Sequence, residues 1–201
     1  GKSKKSGKSK KMSKGSKPSG GGGGSTSGGG SSGLPQSQVT VTTMAGSDTQ
    51  GDVDGQGISA TFNEPSGVAV DGNGNVYVAD TGNNLIRKIT TNGTVTTLAG
   101  SGVAALTDGQ GTAAMFDMPR AVAVDASGNV YVADYVDNRI RKITAMGNVI
   151  TLAGSGSVGS QDGQGTEASF NYPAGVTVDM SGNVYVADSS NNRIRKITVS
   201  E

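Results

Sequence analysis

Three carboxylates open the same four-residue word: Asp54, Asp108 and Asp162 each begin Asp-Gly-Gln-Gly. Clustered carboxylate and carbonyl oxygens suit calcium. The full Asp-x-Asp-x-Asp-Gly spacing with a distal Glu is absent, so these words are expected to make tight connections, and no metal site is assigned. A second set, Asp80, Asp134 and Asp188, closes three identical Val-Tyr-Val-Ala-Asp runs. Each can cap a turn or pair with an arginine of the next strand; the alternative is a ring of carboxylates facing a ligand. The basic side chains form a third set: Arg87 and Lys88, then Arg139, Arg141 and Lys142, then Arg193, Arg195 and Lys196. Their long stems can cover sheet surface, and they recur at equivalent positions, as scaffold residues would. The chain has no histidine and no cysteine, so the commonest general base and any thiolate site are missing. No catalytic residue and no cofactor is assigned.

These sets are positioned by a repeat. Pro65, Pro119 and Pro173 are spaced 54 residues apart, as are Phe62, Phe116 and Phe170 and Tyr77, Tyr131 and Tyr185. Each unit holds short runs rich in Val, Ile, Tyr and Thr: residues 67–70, 75–79, 85–90 and 94–99 in the first copy. Turn words such as Asp71-Gly-Asn-Gly separate them. The first two runs are apolar on both faces, Val76 and Val78 on one and Tyr77 and Ala79 on the other. Such a sheet must be covered on both sides. Four short antiparallel strands packed against copies of themselves make a β-propeller blade, so the chain is expected to be all-β.

The stretches from Pro119 to Asp125, Gly128 to Asp134 and Asn138 to Ile143 resemble the NHL repeat, and the same words recur between Pro65 and Ile89 and between Pro173 and Ile197. The resemblance implies a propeller, commonly six-bladed. It is poorly specific for activity. In some NHL proteins it implies an RNA-binding basic face. In others it implies a similarity to amidating lyases, whose zinc is held by histidines that no position here supplies.

The repeats are read as 39–92, 93–146 and 147–201. The segment from Val39 to Ala45 matches the fourth strand of a unit, and the last unit has only its first three. That makes twelve strands, or three blades' worth, cut at one place. Two expectations follow. Either the segment from Val39 to Ala45 completes the last blade of a second copy in a homodimer, giving six blades, or the missing blades belong to a longer chain. Closing the edges either way hides strands that would template aggregation.

Residues 1–38 are a Lys/Ser/Gly-rich tail and linker, expected to be disordered because so little apolar surface cannot offset chain entropy. They hold Lys2, Lys4, Lys5, Lys8, Lys10, Lys11, Lys14 and Lys17 and no acid, while the rest of the chain carries the other nine basic and all sixteen acidic residues. A flexible polycationic arm suits phosphate or another polyanion. It also resembles the Lys/Ser tracts of diatom silaffins, which implies attachment to silica. No apolar run is long enough to span a membrane. The compartment stays open, with a secreted or cell-surface setting the expectation. The function expected is a non-enzymatic binding scaffold, with an RNA-binding module or a structural surface protein as alternatives. Loops that differ between repeats are where a protein or small ligand is expected, with Tyr135, Asp137 and Met146 as contacts.

Overall fold

Val, Ile and Tyr alternate along each short run, and Asn-, Asp- and Gly-rich turns fold each run back on the last. The result is antiparallel sheet throughout. A computed structural model describes residues 39–199. The tail lysines and the 1–38 domain lie outside the described residues. The chain divides into units Gly1–Val41 and Thr42–Glu201, and the regular structure among the described residues lies in the second.

The first blade comprises β1 (Gly55–Gln56), β2 (Pro65–Val70), β3 (Val76–Asp80), β4 (Leu85–Ile89) and β5 (Thr94–Ala99), in the order β1-β5-β4-β3-β2. The second repeats it with β6 (Gly109–Gln110), β7 (Pro119–Val124), β8 (Val130–Asp134), β9 (Arg139–Ile143) and β10 (Asn148–Ala153). The third has three strands, β11 (Pro173–Val178), β12 (Val184–Asp188) and β13 (Arg193–Ile197). The four long strands of a unit fall where the sequence runs place them.

Two differences from expectation stand out. The two-residue strands β1 and β6 add a fifth strand outside the fourth: Gly55 pairs with Val95 and Gly109 with Val149. They are too short to show a pattern of their own. The segment from Val39 to Ala45, expected as a strand, forms none, and Val41 is 93% exposed. Its counterparts β5 and β10 are strands because β4 and β9 lie beside them.

Blades meet face to face. Ala79, Ile86 and Ala99 of the first pack with Phe116, Val130, Val132, Ile143 and Val149 of the second. Ala133, Ile140 and Ala153 of the second meet Phe170, Val184 and Val186 of the third in the same way. The inner strands β2, β7 and β11 lie side by side. At Gly67 a β-carbon would fall 2.7 Å from the Arg120 carbonyl oxygen, so only glycine admits this approach. Ser66 Oγ donates to that same oxygen at 2.7 Å.

Candidate functional site

Each blade is locked by an arginine held between two aspartates. Arg87 bridges Asp80 and Asp54, both at 2.8 Å. Arg141 bridges Asp134 (3.0 Å) and Asp108 (2.7 Å), and Arg195 bridges Asp188 (2.9 Å) and Asp162 (2.6 Å). Asp80, Asp134 and Asp188 are fully buried, as are Arg87 and Arg141. The inner aspartates also accept the amides of Asn63, Asp117 and Asn171 at 2.8–2.9 Å. They are therefore structural, and the ligand-facing ring is overturned: the guanidinium beside each carboxylate takes the place a ligand would need. The Asp-Gly-Gln-Gly carboxylates are likewise committed to arginine. The three arginines lie 5.1–5.2 Å from the rings of Phe62, Phe116 and Phe170. Lys88, Lys142 and Lys196 lie over Tyr77, Tyr131 and Tyr185 at 5.6–5.8 Å. Much of the recurrent basic set is thus spent inside or against the blades.

At one end of each blade an aspartate organises the turn between its first two strands. Asp71 Oδ1 accepts the amides of Asn73 and Asn75, and its Oδ2 accepts Asn75 Nδ2 and the Tyr77 hydroxyl. Asp125 and Asp179 do the same. The Asn75 side chain leads in holding Asp71 below its usual pKa, and the Asn183 side chain does so for Asp179. Burial, then the neighbouring carboxylate, pushes Tyr77 and Tyr131 up to about 12.

The opposite end is where the repeats differ. There the inner strands begin, and the turns after β3, β8 and β12 lie beside them, since Pro65 pairs with Asp80, Pro119 with Asp134 and Pro173 with Asp188. Glu64, Met118 and Tyr172, just before those prolines, have φ of 51–53°. Bulky side chains rarely adopt this left-handed backbone, and holding it costs about 1–3 kcal/mol per residue. An asparagine from the preceding blade offsets part of that cost. Asn84 Oδ1 accepts the Met118 amide and Asn138 Oδ1 the Tyr172 amide, both at 2.8 Å. Asn84 and Asn138 are themselves left-handed, at φ 55° and 53°. Each blade thus holds the entrance of the next one's inner strand.

Around this entrance lies a cavity of about 250 Å³ lined by Glu64, Ser66, Thr81, Met118, Arg120 and Tyr135. The Arg120 guanidinium sits 4.5 Å over the Tyr135 ring, and Tyr135 lies 4.9 Å from Tyr172, centroid to centroid. A cation on an aromatic face beside a second ring and a carboxylate can grip a small amphipathic group.

Of the residues named from sequence as contacts, Tyr135 lies in this patch. Met146, 85% exposed, lies in the turn after β9, whereas Tyr135 and Asp137 lie in the turn before it. They are therefore at opposite ends of one strand, too far apart for one small ligand to touch both. Asp137 turns inward. It occupies the position of Asn83 and Asn191, whose Nδ2 atoms donate to Asp80 and Asp188 at 2.9 and 2.8 Å. A carboxyl cannot do this when ionised, and Asp137 Oδ2 is buried without a hydrogen-bond partner. Burial raises its pKa. Burial also pushes Asp134 up to about 7, the Asp137 charge adding to the effect and the Asp117 amide and Arg141 opposing it. Sequence comparison missed Glu64, Met118, Arg120 and Tyr172. Their signal was that these positions vary beside prolines that do not.

This stack of antiparallel blades defines a β-propeller protein. Residues 62–89, 116–143 and 170–197 match the NHL repeat family, so the chain carries three NHL repeats. It is 39% identical over 80 residues to NHL repeat-containing protein 2 of Gallus gallus, covering 39% of this chain and 11% of that one. It is 31% identical over 135 residues to a probable peptidyl-alpha-hydroxyglycine alpha-amidating lyase of Caenorhabditis elegans, covering 67% of this chain and 37% of the relative. Among solved structures, an auxiliary nutrient binding protein of Bacteroides thetaiotaomicron aligns with a TM-score of 0.59 at 27% identity, over 65% of this chain and 36% of its own. The chain therefore spans well under half the length of each.

Proposed function

We propose that this chain is a non-enzymatic binding scaffold whose ligand face is the end where the inner strands begin. One observation carries the reading. The aspartate–arginine locks repeat unchanged in all three units, while the positions around the inner-strand entrances change together. The residue before proline is Glu64, Met118 or Tyr172; two residues on it is Ser66, Arg120 or Ala174; the turn opens with Thr81, Tyr135 or Ser189. A side chain kept in a left-handed backbone, different in each blade and grouped with an arginine–tyrosine stack, suits recognition rather than packing. The similarity to a nutrient binding protein supports a small soluble ligand. The relative that is a lyase does not extend to this chain the histidine-held zinc expected of that chemistry, since the chain has no histidine. RNA recognition by the propeller is disfavoured because Arg87, Arg141 and Arg195 are held within the blades. The lysine tail serves as a polyanion- or surface-binding arm.

A thermal-shift screen of soluble sugars, amino acids and short peptides tests the face. A compound that raises the melting temperature of the parent, but not of Arg120→Ala or Tyr135→Ala, is expected. A ligand indifferent to both substitutions would move the site elsewhere. Retention on RNA or silica that is sensitive to salt and lost on deleting residues 1–33 would assign that affinity to the tail.

A further inference from the structure

A second cavity lies away from the proposed ligand face. It is a groove of about 1080 Å³ along the free edge of β13, bounded by Arg193–Thr198 on one side and Asp162–Gly165 on the other, with Ala168 and Phe170 at its floor. In the first two blades the same space is filled by β5 and β10. Each lies between the third strand and the two-residue strand of the Gly-Gln word. In the third blade Gly163 and Gln164 form no strand among the described residues. We propose that this groove receives residues 39–45 of a second copy of the chain, joining two copies through a shared blade.

The occupant is identified by its own residues. Residues 40–47 read Thr-Val-Thr-Thr-Met-Ala-Gly-Ser, and residues 94–101, which fill the slot in the first blade, read Thr-Val-Thr-Thr-Leu-Ala-Gly-Ser. The backbone just after the segment is already set for this role. Gly46 has φ 92°, against 103° at Gly100 and 102° at Gly154. The Gly46 amide donates to the Gly57 carbonyl as Gly100 does to Gly111 and Gly154 to Gly165. The register follows from the two filled slots. Val95 pairs with Ile89 and Val149 with Ile143, Thr96 with Lys88 and Ile150 with Lys142. The incoming strand therefore sets Val41 against Ile197, Thr42 against Lys196 and Thr43 against Arg195.

Side chains on both sides await these partners. Val95 and Val149 are fully buried, whereas Val41 is 93% exposed. Ile86 and Ile140 are fully buried, whereas Ile194 of β13 is 77% exposed. Asp108 Oδ1 accepts the Thr151 hydroxyl at 3.1 Å and its Oδ2 the Thr151 amide at 3.0 Å. Asp54 accepts the Thr97 hydroxyl at 3.2 Å. Thr43 occupies that position in the incoming strand and supplies the same donors to Asp162, whose side chain is 91% exposed against 49% for Asp54 and Asp108.

The blade faces agree. Val122 is buried where the second blade meets the first, while its counterpart Val68, on the bare face of the first blade, is 68% exposed. Seating the strand of one copy in the groove of another brings that face onto the bare face of the third blade. Asn192 is left-handed at φ 56°, like Asn84 and Asn138. It then stands ready to accept the Glu64 amide of the second copy. Two such joints related by a twofold axis give six blades and leave no free edge.

The full chain has no cysteine of its own, so single cysteines report the pairing cleanly. Thr42→Cys and Lys196→Cys are made separately, both at exposed positions. Opposed cross-strand residues lie about 5.5 Å apart between α-carbons, within disulfide reach. Light scattering of the parent across a dilution series is expected to show a doubled mass that halves on dilution. Oxidising a mixture of the two variants is expected to give a covalent heterodimer. Val41→Lys, which sets an ammonium where Val95 and Val149 are buried, is expected to give a monomer with an unaltered circular dichroism spectrum. A parent that is monomeric at every concentration would overturn the proposal. So would a Val41→Lys variant that remains dimeric, a dimer that fails to cross-link at this register, or a Thr42→Cys/Lys196→Cys double variant that cross-links within a single monomer.

Discussion

Replacing Asp137 by asparagine gives the middle blade the hydrogen bonds that its neighbours already have. Asn83 Nδ2 donates to Asp80 Oδ2 at 2.9 Å and to the Gly51 carbonyl at 2.7 Å, and Asn191 Nδ2 donates to Asp188 and Gly159. In the middle blade the corresponding acceptors are Asp134 and the Ala105 carbonyl, and Asp137 offers neither a donor when ionised. A hydrogen bond to a neutral acceptor contributes about 1 kcal/mol and one to a carboxylate about 1.5–3. Asp137 is only partly buried, so the gain is discounted to about 2 kcal/mol at pH 8. For a folded unit of this size that is a rise in melting temperature of roughly 4–8 °C. The gain must also depend on pH. Asp134 titrates near 7 and Asp137 above its ordinary value, so between about pH 4 and 7 the folded protein holds protons that the unfolded chain has released. Folded pKa values raised in this way make parental stability fall as pH rises through that window. Asp137→Asn lessens this slope, because it takes away the Asp137 proton and the charge beside Asp134 while the burial of Asp134 remains. Below about pH 4 a protonated Asp137 already mimics the amide, and the two proteins converge. Calorimetric melts of both at pH 4 and pH 8 decide it. An equal shift at the two pH values, or a loss at pH 8, would refute the reasoning.

Arg141→Ala leaves Asp134 and Asp108 without their shared cation. Stranding a fully buried carboxylate costs about 3–5 kcal/mol, so the urea midpoint should fall steeply, and Arg141→Lys should recover little because an ammonium cannot bridge both carboxylates in the same fork. Absorbance titration should show two of the five tyrosines ionising only near pH 12, about two units beyond an ordinary tyrosine. Because the folded state keeps those protons, its stability declines once pH exceeds about 10. Ionisation of all five tyrosines together near pH 10 in the folded protein would contradict this.

The blades were legible because burial on both faces forces Val, Ile, Tyr and Ala into short runs that turn residues must punctuate. Three in-register copies made each unit a check on the others. The pairing of Asp80, Asp134 and Asp188 with arginines was legible too, since a buried carboxylate so near a basic strand has few other partners. The ligand face was not. Met118 and Tyr172 carry no local signal for a left-handed backbone, because asparagine side chains 34 residues earlier help to hold it; Glu64 shares that backbone. Asp137 was noticed as a loop residue that differs between repeats, but which way its carboxyl points depends on Asp134, three residues back and inside the blade. Met146 and Tyr135 were both named as loop contacts, and which end of the blade each loop lies on depends on the strand between them. Residues 39–45 carry the composition of a strand but lack one until an edge is supplied.

The asparagine that reaches from one blade to hold the entrance of the next has a kinetic meaning. In the middle blade, Asn138 holds the Tyr172 amide and Met118 is held by Asn84, so this blade is tied on both sides. The outer two are each tied on one. In a single unpaired chain thermal fraying therefore works inward from the outer blades, and β8, buried along its whole length, is the last strand to let go of its protons to solvent exchange. In refolding the order reverses: the middle blade is the template against which the other two crystallise.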